Sequence, residues 1–245
     1  MESPADNELT ELTTDEPPEA DSRGTLQQAL LPRSAPRVDG YDLAGGTAVE
    51  PSSPGATVWS HFALEDGRTA MAALSVQSHG SPPALTLAVS RAFLTESARG
   101  ADSPDKILAS VNDMLARSAP EGSDQMAACG VLVPDPDGVR WACAGTLHGG
   151  VIRRDGTFDE LQSHGPPLGM LQGFQYGVSS LDLGPGDEVV VMTGASPGLF
   201  RGAADLVASL HGKPAGEVVS TVHRAIRKAQ PDEPAETTVL FLRKH

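Results

Sequence analysis

The 245-residue sequence predicts an α+β fold dominated by antiparallel strands, and two observations carry that reading. Strand-like segments are joined by short Asp-Gly and Gly-Pro-Gly-Asp turns, the chemistry of hairpins and not of helical crossovers. Helical segments come in two adjacent pairs instead of alternating with strands, which argues against a doubly wound parallel sheet. Aromatic residues make up only 4% of the chain, so the core must be built from Ala, Val and Leu.

The elements follow in order. "TLQQALLP", from Thr25, places Leu26, Leu30 and Leu31 on one side of a short helix that stops near Pro32. Three strands come next, "YDLAGGTAVEP", "ATVWSHFALEDGR" and "TAMAALSVQSHG", with Asp66-Gly67 turning between the second and third. "SPPALTLAVSRAFLTESARG" and "SPDKILASVNDMLARS" form the first helix pair; the second of them opens on Ser103-Pro104-Asp105, an N-cap, a first-turn proline and an early acid. "QMAACGVLVPDPDGVRWACAG" is expected to be a hairpin about Asp137-Gly138, and "HGGVIRRDGTFDEL" another about Asp155-Gly156. "FQYGVSSLDLGPGDEVVVMTG" is expected to be a third strand pair, joined by Gly184 to Asp187. The second helix pair, "SPGLFRGAADLVASL" and "PAGEVVSTVHRAIRKAQ", precedes a closing strand, "TTVLFLRK".

The charge is −14, and half of it sits in one place. Residues 1–24 hold eight acids against Arg23 and few large apolar side chains. Such a segment cannot bury enough surface to offset its ordering entropy, so residues 1–24 are expected to be a disordered acidic tail preceding a domain over residues 25–245. The acidic balance argues against nucleic acid and against an anionic membrane surface as partners. No apolar run approaches a membrane span and the N-terminus lacks an apolar targeting core, which makes a cytoplasmic location the default. Cys129 and Cys143 have no metal-type spacing and lie in strand segments, where small buried thiols are expected.

The stretch "VVVMTGASPGLF", residues 189–200, contains G-x-S-x-G between a strand and a helix, the pattern of a serine-hydrolase nucleophile elbow. The elbow needs the backbone N–H after the nucleophile for its oxyanion hole, and here that residue is Pro197, which has none. The acid and histidine that should follow, Asp205 or Glu217 with His223, fall in helical segments. Ser196-Pro197 is therefore expected to cap the next helix.

Several segments together resemble the SpoIIE-type branch of the metal-dependent (PPM) serine/threonine protein phosphatases. "LQQALLP" resembles that branch's L-Q-x-x-L-L-P helix, and "PGATVWSHFALEDGR" its G-G-D-F-Y-D…L-D-D-G-R segment. "AALSVQSHGSPPAL" resembles I-G-D-V-S-G-H-G-x-x-A-A-L, keeping Val76, His79, Gly80, Ala84 and Leu85. "WACAGTLHGG", "GPPLGM", "PGDEVVVMTGA" and "AETTVLFLR" resemble A-G-H-P-P, G-x-P-L-G, P-G-D-x-L-L-L-Y-T-D-G and D-D-x-T-L-L-x-L. The resemblance runs from about residue 25 to the C-terminus and implies a PPM phosphatase-like α-β-β-α sandwich, two antiparallel sheets flanked by helix pairs.

The departures carry the functional inference. The family hydrolyses phosphoserine or phosphothreonine with two divalent ions, Mn2+ or Mg2+, held by carboxylates. The resemblance sets four key aspartates on Thr57, Ser75, Gly194 and Ala235, with Glu236 the residual acid of the closing motif. Ser60 replaces a further aspartate, and Thr146 stands in place of the A-G-H histidine. No catalytic residue, metal ligand or cofactor is therefore expected, and the chain reads as a pseudophosphatase. A replacement site built from His61, His79, His148 and His164 is the weaker reading, with turn or core roles for these histidines the simpler one. Family substrates imply a partner such as an anti-sigma-factor antagonist or a kinase in a bacterial partner-switching pathway, and a homodimer contact near the N-terminal helix is compatible with the resemblance. The alternative is an active phosphatase of the same type with unusual metal ligands.

Overall fold

A computed structural model describes residues 26–48, 55–79, 82–118, 124–229 and 236–245. The acidic segment 1–24 and Ala235 lie outside them. Residues 26–30 form a short helix, α1. It is followed by β1 (Tyr41–Thr47), β2 (Thr57–Ala63), β3 (Thr69–His79), α2 (Pro83–Arg99) and α3 (Pro104–Ser118). Then come β4 (Asp124–Asp135), β5 (Gly138–Ala144), β6 (His148–Ile152), β7 (Phe158–Glu160), β8 (Ser179–Asp182) and β9 (Glu188–Thr193), and α4 (Pro197–Ser209), α5 (Ala215–Ala229) and β10 (Thr238–Lys244) close the chain.

The strands make two five-stranded sheets, β1-β10-β9-β6-β7 and β2-β3-β4-β5-β8, with every pairing antiparallel. Side chains alternate between faces along each strand, and the three apolar layers follow from that alternation. Trp59, Met71, Ala73, Val189, Val191, Leu240 and Leu242 point between the sheets. The intervening residues Val58, Ala70, Ala72 and Leu74 of the first of these strands meet Leu87, Leu94, Ile107 and Leu108 of α2 and α3. On the other side Val190, Met192, Val239 and Phe241 meet Phe200, Val207, Val218 and Val222 of α4 and α5. The result is the α-β-β-α sandwich that the resemblance implies.

Two strand expectations are corrected. β8 and β9 do not pair: β8 lies beside β5, whereas β9 lies between β10 and β6 of the opposite sheet. The 183–187 connection therefore passes from one sheet to the other. Burial explains the separation. All six residues of β9 are buried, as a central strand with both faces covered requires, while β8 alternates between half-buried and exposed as an edge strand does. In the β4–β5 hairpin the turn is Pro136-Asp137, one residue earlier than expected. Gly138 is already in the ladder, opposite Asp135; a Cβ there would approach the Leu181 carbonyl of β8 to 2.2 Å, so glycine serves close strand approach and not the turn.

Candidate functional site

The inward alternation that builds the inter-sheet core continues to one end of the sandwich, where apolar residues give way to hydroxyls. β1 ends on Thr47, β2 begins on Thr57, β9 ends on Thr193 and β10 begins on Thr238. In register Thr47 stands opposite Thr238, Thr238 opposite Thr193, and Thr57 opposite Ser75. The structure thus brings Thr57, Ser75 and Gly194 to one end of the sandwich, where the resemblance sets the family's metal ligands.

The hydroxyls are spent on one another. Thr57 Oγ1 donates to the Leu74 carbonyl at 2.9 Å and stands 2.6 Å from Thr193 Oγ1 and 2.9 Å from Thr238 Oγ1. A hydroxyl has one proton and two lone pairs. With its proton on Leu74, Thr57 accepts from both Thr193 and Thr238. Thr238, its own proton given to Thr57, accepts from Thr47 Oγ1 at 2.7 Å, and Thr193 Oγ1 accepts the Thr238 N–H at 3.3 Å. Every proton in the cluster has an acceptor, and the Thr57 oxygen has no lone pair left. The Thr57 carbonyl is also taken: buried Gln27 of α1 donates Nε2 to it at 2.6 Å.

Among the described residues, Glu236 brings a carboxylate to this end. Its Oε1 accepts the Gly55 N–H at 2.5 Å and its Oε2 the Ala56 N–H at 2.6 Å. Burial pushes this carboxyl above the ordinary carboxylate range, although the N–H groups of Ala56, Gly55 and Thr57 pull the other way. Gly194 has φ +68°, and a Cβ on it would lie 2.0 Å from the Glu236 carbonyl. Any side chain at 194 thus meets both an unfavourable backbone conformation and a main-chain wall.

The remaining residues singled out in the sequence lie apart. Ser60 faces α2, where its Oγ accepts from Arg91 Nε at 2.9 Å. Thr146 is exposed in the loop after β5. His61 shares a face with Trp59, ring centroids 6.0 Å apart, and His148 stacks on Phe200 at 5.5 Å. His164 accepts the Cys143 N–H at 3.2 Å and bonds Ser179 Oγ at 2.8 Å, and burial lowers its pKa. The side chain of His79 lies outside the described residues. Cys129 and Cys143 are free and buried, and burial pushes the Cys143 thiol up to about 11. Among the described residues no three His, Cys, Asp or Glu side chains stand close enough to hold a metal ion. Ser196 is the N-cap of α4, its Oγ accepting from Leu199 N at 3.3 Å ahead of Pro197.

Two divalent ions do not fit this donor set. Hard cations take oxygens that are free to turn toward them, chiefly carboxylates. Here the Thr57 hydroxyl is saturated, Gly194 has no donor, Ser75 offers a neutral hydroxyl, and Glu236, each oxygen already bonded to a main-chain N–H, brings a single negative charge against the four of two divalent ions. Sequence reasoning named Thr57, Ser75, Gly194 and Glu236 but missed Thr47, Thr238 and Gln27, which complete the network. Inward parity was the available signal for Thr47 and Thr238, since each is an even number of residues from an inter-sheet core position on its strand.

The two antiparallel sheets flanked by helix pairs are the PPM-type, PP2C-like fold. The SiaA-PP2C domain of Pseudomonas aeruginosa is similar over 92% of this chain and 95% of its own, with 17% identity and a TM-score of 0.69. The RsbU and RsbW domains of Rv1364c from Mycobacterium tuberculosis match over 86% of this chain and 63% of that one, with 20% identity and a TM-score of 0.70. The catalytic domain of the serine/threonine phosphatase PstP, solved with two manganese ions, matches over 83% and 97%, with 12% identity and a TM-score of 0.62. No curated protein matches the chain. The family model for SpoIIE, stage II sporulation protein E, matches residues 65–244, and the chain belongs to that family. No helix among the described residues is long and apolar enough to cross a membrane.

Proposed function

We propose that this chain is a non-catalytic member of the SpoIIE family, a cytoplasmic pseudophosphatase that acts by binding a signalling protein. The observation that carries the reading is the closed threonine network: Thr57, set where the family has a metal-binding aspartate, has all of its oxygen's capacity used within 2.9 Å. The close approach of the Glu236 carbonyl to Gly194 supports it, because the main chain occupies the space a second ligand would need. Without both ions no water is activated, and nothing offsets the charge of a phosphoryl group under attack. The similar structure in which RsbU and RsbW domains share one chain supports a partner of the anti-sigma-factor antagonist or kinase kind.

The test is calorimetric titration of Mn2+ together with phosphoester hydrolysis at millimolar Mn2+. No tight binding and no metal-dependent turnover are expected. Metal-dependent turnover that disappears in Glu236→Ala would establish the active-phosphatase alternative instead. Restoring carboxylates with Thr57→Asp, Ser75→Asp and Ala235→Asp is expected to bring back measurable Mn2+ affinity, whereas Gly194→Asp is expected to prevent folding.

A further inference from the structure

We propose that the acidic N-terminal segment around Leu9 and Leu12 docks in cis into an apolar groove between α4 and α5. The groove encloses about 250 Å3 and is lined by Gly198, Leu199, Gly202, Leu206, Ala225 and Ala229, among others. Small residues on facing sides of the two helices leave it open: a Cβ at Gly198 or Gly202 would meet nothing within 4 Å. Three observations select the occupant of this apolar furrow.

The first is charge. Exposed Arg224 and Lys228 of α5 neighbour Ala225 and Ala229 of the groove, while Arg201 of α4 stands over the Phe158 ring at 4.8 Å. Of the acids on these helices, Asp205 adjoins Leu206 of the lining, and Glu217 is paired with Lys213 at 3.2 Å. Residues 1–24 carry eight acids and one arginine.

The second is pattern. "ELTEL", residues 8–12, sets Leu9 and Leu12 three apart, each directly after a glutamate (Glu8 and Glu11), the spacing that puts two apolar side chains on one side of a helical turn with acids beside them. They are the only leucines ahead of α1.

The third is reach. α1 is pinned by Gln27 to the Thr57 carbonyl, and the Thr57 hydroxyl touches Thr193. Gly198 is five residues past Thr193, at most about 18 Å of chain. The fourteen residues from Leu12 to Leu26 extend up to about 50 Å. The segment therefore starts from the end of the sandwich where the groove opens, with chain to spare. The inference is independent of whether the site binds metal.

The experiment uses the full chain with Ser3→Cys carrying a nitroxide; Cys129 and Cys143 are buried and stay unlabelled. Methyl signals of Leu199, Leu206, Val222 and Ile226 are expected to lose at least half their intensity relative to those of Leu87 and Leu108, and to recover in high salt. Leu9→Asp with Leu12→Asp, which leaves the folded domain untouched, and Gly202→Glu, which enters open space on a helix, are each expected to abolish the effect. Uniform broadening, or selective broadening that survives both variants, overturns the proposal. So does broadening that disappears when labelled chain is mixed with excess unlabelled chain of a different isotope pattern, since that result makes a second copy the donor of the segment.

Discussion

The two ends of the sandwich handle buried polar groups in opposite ways. At the end where β1 begins and β10 finishes, carboxylates persist because guanidinium groups meet them. Asp135 receives Arg68 at 2.6 Å and Arg140 at 2.9 Å, and Glu188, 1% exposed, receives Arg243 at 2.7 Å. Asp187 shows the balance: burial alone would raise its pKa, but N–H groups of Arg154 and Gly184 and the Arg153 guanidinium hold it below the ordinary range. At the other end the same strands finish in Thr47, Thr57, Thr193 and Thr238, and Glu236 is met by main-chain N–H groups. The contrast teaches what a carboxylate needs in this fold. Where arginine supplies the compensating charge, the acid remains; where the family's compensation would be metal, hydroxyls that satisfy one another stand instead.

That comparison breaks most visibly if its arginines prove dispensable. Arg243→Leu leaves Glu188 buried and without its guanidinium, and a loss of about 3–5 kcal/mol is expected in urea unfolding. The double variant with Glu188→Leu should recover most of it, and a single-variant loss below about 1 kcal/mol would contradict the account. At the hydroxyl end the converse substitution is the test. Thr57→Asp buries a carboxylate among hydroxyls with no cation, for an expected loss of about 3 kcal/mol. Relief of that loss by millimolar Mn2+ with the single substitution would mean that the remaining donors already form half a metal site.

A comparable effect is expected from pH. His223 of α5 packs its ring against Gly46 of β1, and burial pushes its pKa down from 6.5 to about 4. The folded value lies below the unfolded one, so the stability tied to the neutral ring is complete above the unfolded pKa and is lost as pH falls through the folded one. The loss amounts to about 3 kcal/mol. Thermal melts from pH 7 to pH 4 should show it, and His223→Leu should flatten that part of the profile; an unchanged slope would place the acid lability elsewhere. The smallest effect is at Ser196. Ser196→Ala removes the α4 cap for about 1 kcal/mol, and a fluorophosphonate probe should leave the unaltered protein unlabelled. Stoichiometric labelling at Ser196 would restore the nucleophile reading that the cap geometry opposes.

Much of the architecture was legible because local chemistry and tertiary demand agree. Alternation along "TAMAALSV" reads as a strand covered on both faces by small residues, and it is one, with Ala70 and Ala72 toward the helices and Met71 and Ala73 toward the other sheet. Pairing was less legible. "SSLDLGPGDEVVV" has the turn chemistry of a hairpin, yet its two strands lie in different sheets, because a turn sets where the chain reverses and not which strand edge waits on the far side. Gly138 misled in the same way, being small for the sake of a neighbouring strand.

The sequence by itself determined the order of elements, the acidic bias of the first 24 residues, and the lack of carboxylates at Thr57, Ser75, Gly194 and Ala235. These are matters of residue identity and local spacing. Only the tertiary structure decided that Thr47, Thr57, Thr193 and Thr238, up to 191 residues apart, share one hydrogen-bond network, and that the Glu236 main chain presses on Gly194. The physical reason is that a hydroxyl's capacity and a glycine's free space are set by neighbours brought in through sheet register. No window of sequence contains them.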